Sequence, residues 1–230
     1  RRYGVQPRYE VCYPADEIVT DSEDMVEADE EKLFYINQMN QLCKSLGIKL
    51  ILIHIPYSYH PEQQREANAV CRYAQEQGIF CVNYMNQNIG LDFDIDFYDQ
   101  GHLNASGMRI LTREMGRLLI EAGMEDHRGQ PEEQVWEEEN QAFIQYRIQQ
   151  LWGIGDVKGY LMGICDPDLI AQVQIRQAVM EDKQIGKLVE RLRRSGCEIC
   201  VAETYIEIPE EGGASQKYDI YCCVYRKDDP

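Results

Sequence analysis

An aspartate and a histidine three residues apart, Asp99 and His102, are the residues of this sequence best suited to chemistry. A neutral imidazole titrates near physiological pH, and a neighbouring carboxylate fixes its tautomer and stabilises the imidazolium that forms when it takes a proton. The spacing therefore predicts a general base and its orienting acid. An amphipathic helix follows directly, so we expect this pair on a loop beside a helix start.

The elements around the pair have the pattern of a parallel α/β domain. Near-continuous apolar strands are typical of parallel sheets that are covered on both faces, and sites in such sheets lie at the carboxyl ends of the strands. We therefore predict half of a parallel-sheet three-layer sandwich, with the loops after two strands meeting the pair at one sheet edge. Helices are predicted over 29–46, 61–77 and 105–122, and strands over 48–55 and 79–84.

A change in composition near Gly129 and Pro131 predicts a domain boundary. We assign 1–125 to an α/β domain and 126–230 to a small α+β accessory module. The module is predicted to contain a long helix over 132–152, a half-exposed strand over 169–176 and a helix over 182–195. A hairpin is predicted at its end, with strands over 199–208 and 218–225 on either side of a Gly212-Gly213 turn.

The motif around the pair is more specific than its spacing alone. Residues 97–107 read F-Y-D-Q-G-H-L-N-A-S-G, which resembles the last sequence block of the SGNH (GDSL-type) hydrolases, D-x-x-H followed by L-N-x-x-G. The stretch from Leu33 to Leu119 also resembles a group of bacterial SGNH-like proteins, including its L-C-K-x-x-G-I-K-L turn into a strand and its Pro-Tyr loop. The resemblance covers roughly residues 1–125.

This resemblance implies an esterase or acyltransferase that works through a covalent acyl-enzyme, with His102 as general base and Asp99 as its orienting acid. It implies no cofactor and no metal, and a substrate that is a small ester or an acylated cell-envelope glycan. Tyrosine rings with polar tips suit carbohydrate. The candidate substrate-binding residues are Tyr57, Ser58, Tyr59, Tyr98 and Asn104.

The serine nucleophile of such enzymes is not evident in this sequence. The family places it in a Gly-Asp-Ser-like turn after the first strand, and the chain contains no such turn. Ser58 follows a predicted strand but lacks a strained elbow, and Ser106 falls in a first helical turn, where capping is its expected role. The resemblance therefore implies the C-terminal half of an SGNH-like protein, inactive without the serine-bearing segment.

Two other classes of function stay open. One is a non-catalytic binding or scaffold protein that keeps the sheet but has no nucleophile. The other is a metal-dependent hydrolase that uses His54, Asp99 and His102, although the sequence has no paired-ligand spacing such as H-x-x-x-H.

The composition limits which classes of partner the protein can bind and which cellular compartment suits it. A net charge of −17 argues against nucleic acid, and no apolar run is long enough to cross a membrane. The nine cysteines have neither zinc-site nor disulfide-framework spacing, which favours a reducing environment. The possibility of an upstream membrane anchor or export signal stays open. Because an incomplete sheet leaves a strand edge unpaired, we expect a homodimer through that edge.

Overall fold

The computed structural model describes residues 6–14, 18, 21–57, 61–125, 127, 129–209 and 214–227. Within them the chain forms six α-helices and nine strands. The helices are α1 (Glu30–Ser45), α2 (Pro61–Glu76), α3 (Ala105–Glu121), α4 (Gln134–Leu151), α5 (Val157–Gly163) and α6 (Lys183–Arg194). The strands are β1 (Ile51–His54), β2 (Phe80–Asn83), β3 (Phe97–Asp99), β4 (His102–Leu103), β5 (Leu169–Arg176), β6 (Glu198–Ala202), β7 (Ile206–Pro209), β8 (Ser215–Tyr218) and β9 (Ile220–Arg226).

The helices predicted from apolar spacing are all confirmed, with small differences at their ends. Capping aspartates explain why two of them begin where they do. The Asp29 carboxylate accepts the backbone N–H groups of the first turn of α1, and Asp182 does the same for α6. The short helix α5 has no clear apolar period and was not predicted.

The sheets are small, and this corrects the predicted fold class. β1 and β2 pair in parallel, as expected, with Ile51 opposite Phe80. Within the described residues, however, neither strand has a second neighbour, and β3 and β4 form a separate antiparallel pair. The prediction of a parallel-sheet three-layer sandwich is therefore wrong. The apolar run of β1 indicated burial on both faces, but all four of its residues are only half-buried.

The second half of the chain is built on a mixed three-stranded sheet. β5 lies in its centre, parallel to β6 and antiparallel to β9. Residues of β5 alternate between buried and exposed, as predicted, and α6 packs Leu188, Val189 and Leu192 against the buried face. β7 and β8 form a hairpin at the predicted place, while the Gly212-Gly213 turn lies outside the described residues. The longer strands predicted for it are wrong, because β6 and β9, which hold most of their residues, pair with β5.

An N-terminal segment, residues 6–14, runs between the two halves. The carbonyl of Arg8 accepts the N–H of Ala105 at the start of α3 at 2.7 Å. The Cys12 N–H donates to the Phe97 carbonyl in β3 at 3.0 Å. On the other side, the Gln184 amide of α6 donates to the Cys12 carbonyl at 2.8 Å. The segment thus hydrogen-bonds to both halves.

A ladder of ion pairs also joins the two halves. The Arg191 guanidinium holds both carboxylate oxygens of Asp96, with Nη2 2.9 Å from Oδ2. Lysines one and two turns earlier in α6 share its face, because residues four apart lie one above the other on a helix. Lys187 lies 2.7 Å from Asp92. We call this set the charge ladder: Asp92, Asp94 and Asp96 before β3, with Lys183, Lys187 and Arg191 of α6.

One disulfide corrects the expectation of free thiols. Cys71 of α2 is bonded to Cys81 of β2, with their Cα atoms 5.3 Å apart. The other seven cysteines are free. The bond forms between adjacent elements, because α2 packs directly on β2.

Candidate functional site

Asp99 and His102 face each other across the turn between β3 and β4. Asp99 ends one strand, His102 begins the next, and the two are register partners. Nδ1 of His102 lies 2.9 and 3.0 Å from the two carboxylate oxygens of Asp99. The Gly101 N–H donates to the same carboxylate at 2.8 Å. The tight turn therefore brings together the two residues that the sequence singled out.

The helix start after the pair is anchored by Asn104. Its side-chain oxygen accepts the N–H groups of Ser106 and Gly107 at 3.1 and 3.2 Å. Its amide donates to the carbonyls of Ile95 at 2.8 Å and Glu10 at 3.2 Å. Asn104 is fully buried, so none of its atoms is available to a substrate. The prediction that Asn104 binds substrate is corrected here to a structural role.

The final glycine of the motif is required by close packing. A Cβ on Gly107 would lie 2.3 Å from the backbone oxygen of Asp96. That separation is far below van der Waals contact, so only a residue without a side chain lets α3 begin this close to the turn before β3. Asn104 and Gly107 therefore set the position from which the pair projects.

The pair is open to solvent, and its surroundings favour the ionised form of Asp99. The exposed fraction is 66% for the His102 side chain and 47% for Asp99. Partial burial raises the pKa of Asp99, but hydrogen bonds from His102 and the Gly101 N–H outweigh it and hold that pKa below its ordinary value. An ionised Asp99 favours the tautomer with a proton on Nδ1 of His102, which leaves Nε2 free to accept one.

Tyr98 is the predicted substrate-binding residue that lies at the pair. Its ring stacks on the His102 ring, with centroids 5.3 Å apart and planes at 19°. The Arg8 guanidinium carbon lies 5.5 Å from the centroid of Tyr98. These contacts restrict the orientation of the imidazole on the side of Tyr98.

The other predicted substrate-binding residues are not brought to the pair. Tyr57 packs edge-on against His54 at 5.0 Å and lines a different cavity. Ser58 and Tyr59 lie outside the described residues, so their predicted role stays a prediction.

Two of the three loops expected at one sheet edge do meet. Pro56 after β1 and residues 84–88 after β2 line one cavity of about 510 Å³. Neither Asp99 nor His102 belongs to the described lining of that cavity. The predicted three-loop site is therefore present only in part, because the pair sits on its own two-stranded turn and not on an extension of the β1–β2 sheet.

No serine among the described residues contacts His102. The hydroxyl of Ser106, the nearest in sequence, is buried and accepts a hydrogen bond from Arg191 at 2.7 Å. A thiol, Cys12, was missed by the sequence reasoning and lies near Asp99. Burial and then the Asp99 charge raise the pKa of Cys12, which keeps it a neutral thiol and a poor nucleophile.

His54 lies at the end of β1, and its Nε2 is buried with no hydrogen-bond partner among the residues that the structure describes. Burial lowers the pKa of His54. No group of three His, Cys, Asp or Glu side chains within the described ranges is placed to hold a metal ion. The alternative of a metal site built from His54, Asp99 and His102 therefore has no geometric support there.

Comparisons with known proteins give this chain no family: no family model, curated protein or solved structure matches it. The resemblance to SGNH hydrolases rests on its motif residues alone. Among the helices of the described ranges, none has the length and apolar character needed to cross a membrane.

Proposed function

We propose that Asp99 and His102 are the acid–base pair of an SGNH-type ester hydrolase or O-acyltransferase. The observation that carries this proposal is the contact of Nδ1 with both Asp99 oxygens at 2.9 and 3.0 Å on an exposed turn. Nε2 of His102 takes the proton of a hydroxyl as that oxygen attacks an acyl carbonyl. It then returns the proton to the departing alkoxide, while Asp99 stabilises the imidazolium between the two steps.

The proposal requires a hydroxyl nucleophile that reaches Nε2 of His102. Since no described serine makes this contact, the nucleophile comes from outside the described residues. Ser58 is one source within the chain, and a serine on a separate polypeptide segment is the other. Mutation of Ser58 distinguishes the two sources, because it abolishes activity only if Ser58 is the nucleophile.

The substrate class that fits best is an acylated glycan. Sites for small molecules are concave and enclose most of the ligand. The pair is exposed and projects from a turn, so it suits an ester carried on a large molecule. Tyr98 supports this class by presenting a phenol beside the imidazole.

We also propose a second copy of the chain as a partner at the β1–β2 sheet. Within the described residues each of these strands is paired on one side only. Apolar side chains beside them are exposed, including Phe80 at 41% and Ile55 at 47%. Unpaired strand edges are templates for pairing with another chain. Light scattering should show a dimer that Phe80→Lys weakens and that Ile120→Lys, an exposed site on α3, leaves intact; a monomer at all concentrations would contradict it.

The catalytic proposal is tested by hydrolysis of p-nitrophenyl acetate. The assay uses this chain and, where the gene encodes residues upstream of Arg1, the longer polypeptide. His102→Ala should reduce the rate to the uncatalysed background, whereas His127→Ala, at another exposed histidine, should leave it unchanged. Ser58→Ala identifies or excludes the internal nucleophile. A rate that does not depend on His102 in either polypeptide would remove the enzyme and leave the scaffold alternative.

A further inference from the structure

A second cavity, of about 310 Å³, lies between α3 and α4 and contains two arginines. Arg109 comes from α3 and Arg147 from α4. We call this space the two-arginine cavity. Pro7 and Tyr9 line it, whereas Arg8 between them contacts Tyr98 beside His102. The N-terminal segment thus separates this cavity from the Asp99–His102 pair.

The two arginines are not equally neutralised. Asp166 is the acid in the described lining, and its carboxylate lies 3.3 Å from Arg109 and 3.2 Å from Arg147. Arg147 has a second acid, Asp168, at 2.6 Å outside the lining. Arg109 therefore shares its acid and has no other described ion-pair partner. Burial, and then the Asp166 charge, raise the pKa of Tyr9 to about 12, so this hydroxyl adds no negative charge.

Both guanidinium groups have hydrogen-bonding capacity left over. A guanidinium carries five N–H donors, and the described contact of Arg109 is a single Nη1 approach to one oxygen of Asp166. The Nε atom of Arg147 is buried and has no acceptor within the part of the chain that the structure describes. A buried donor without a partner is unfavourable, so an acceptor placed between the two arginines would be stabilised.

Most of the remaining wall is apolar, with Thr112 and the Tyr9 hydroxyl as its polar groups. Met108 and Phe143 line the cavity near the arginines, and the Arg147 guanidinium lies 5.5 Å from the Phe143 ring centroid. An inorganic anion would have to give up bound water on entering this cavity, and the apolar walls offer no hydrogen bonds in place of that water. An anion with a hydrocarbon body would bury that body against them.

We propose that the two-arginine cavity binds a small organic carboxylate, with its charged group on Arg109 and Arg147 and its apolar body against Met108 and Phe143. Arginine and carboxylate match in a planar, two-bond geometry that gives both strength and orientation. The volume of about 310 Å³ is at the small end of the range for ligand cavities. The ligand is therefore a compact monocarboxylate.

Isothermal titration of the full chain with benzoate tests the proposal. Benzamide has the same shape without the charge, and sulfate has charge without the apolar body. We expect saturable binding of one benzoate per chain, no binding of benzamide, and sulfate binding at least tenfold weaker. Absence of benzoate binding would overturn the proposal, and so would benzamide or sulfate binding as tightly as benzoate.

Two variants locate the bound benzoate. Arg109→Gln should weaken binding at least tenfold, whereas Arg113→Gln, at an exposed arginine one turn later on α3, should not change it. Thr112→Trp fills the cavity from an exposed lining position and keeps both arginines, so it should abolish binding. If Arg109→Gln does not fold, Thr112→Trp decides the question. Wild-type affinity in a folded Thr112→Trp variant would place benzoate elsewhere and refute the site.

Discussion

Two aspartates three residues apart, Asp96 and Asp99, hold basic partners in opposite settings. Asp96 is fully buried, and the Arg191 guanidinium of α6 contacts both of its carboxylate oxygens. Asp99 is about half exposed and contacts His102 of the adjoining strand. Arginine keeps its proton in proteins, whereas histidine exchanges it near neutral pH. The identity and burial of the partner therefore explain why Asp96 joins the two halves of the chain, whereas Asp99 is placed to take part in proton transfer.

The largest loss of stability is expected when the buried contact between Asp96 and Arg191 is broken. Arg191→Met leaves the buried Asp96 carboxyl without its partner, which should cost about 3–5 kcal/mol of the free energy of unfolding. Arg193→Met removes an exposed arginine of the same helix that lies 3.5 Å from Glu190, and should cost at most about 1 kcal/mol. Urea denaturation measures both. Similar losses in the two variants would contradict a special role for the Asp96 contact.

A smaller loss is expected where α3 packs on the turn that carries Asp96. Gly107→Ala places a Cβ against the Asp96 carbonyl and should cost about 1–3 kcal/mol through overpacking. Gly116→Ala, on the same helix, has no heavy atom within 4 Å of the new Cβ and should stabilise the chain by roughly 0.5–1 kcal/mol. Calorimetric melting checks the opposite signs. A stabilised Gly107→Ala would show that the close approach is not present.

Burial should also distinguish two histidines through pH. The folded-state pKa of His54 is lowered by burial, so its contribution to stability is present above its ordinary pKa of 6.5 and is lost as pH falls below that value. His54→Phe should reduce the fall in stability between neutral and acidic pH. His127→Ala, at an exposed position, should leave that fall unchanged. Equal pH profiles for wild type and His54→Phe, measured by urea titration, would contradict the assigned burial.

The smallest effect on stability is expected at the exposed pair. Asp99→Asn weakens a hydrogen bond between two side chains that are largely in water, and should change the free energy of unfolding by less than about 1 kcal/mol. A loss as large as that of Arg191→Met would show that the pair supports the fold, and the contrast with Asp96 would fail. Urea midpoints of the two variants, measured in the same buffer, make the comparison.

Local features of this fold could be predicted from the sequence. Helical spacing predicted α1, α2, α3 and α6, because apolar residues recur at helical intervals in each. In α1 part of this stripe stays exposed, including Met39 and Leu42. The capping role of Asp29 follows from its type and place before an acidic first turn. The three-residue spacing of Asp99 and His102 also predicted their proximity, since a two-residue turn brings its flanking residues together.

Non-local features could not be predicted in the same way. The aspartates at 92, 94 and 96 and the cations at every fourth residue of α6 are visible in the sequence, but nothing local says that they meet across roughly 90 residues. The prediction of a larger parallel sheet around β1 and β2 failed for the same reason, because an apolar run does not specify how many strands will pair with it. The burial of Asn104 depends on the carbonyl of Glu10, which lies far away in the chain.

The most direct test compares folding and activity in His102→Ala, with Arg191→Met beside it. Urea unfolding and p-nitrophenyl acetate hydrolysis are measured on the same preparations, including any longer polypeptide that the gene encodes. We expect His102→Ala to unfold at the wild-type urea concentration while its hydrolysis falls to background. Undiminished hydrolysis in His102→Ala, or a loss of stability matching that of Arg191→Met, would refute the catalytic role of the exposed pair.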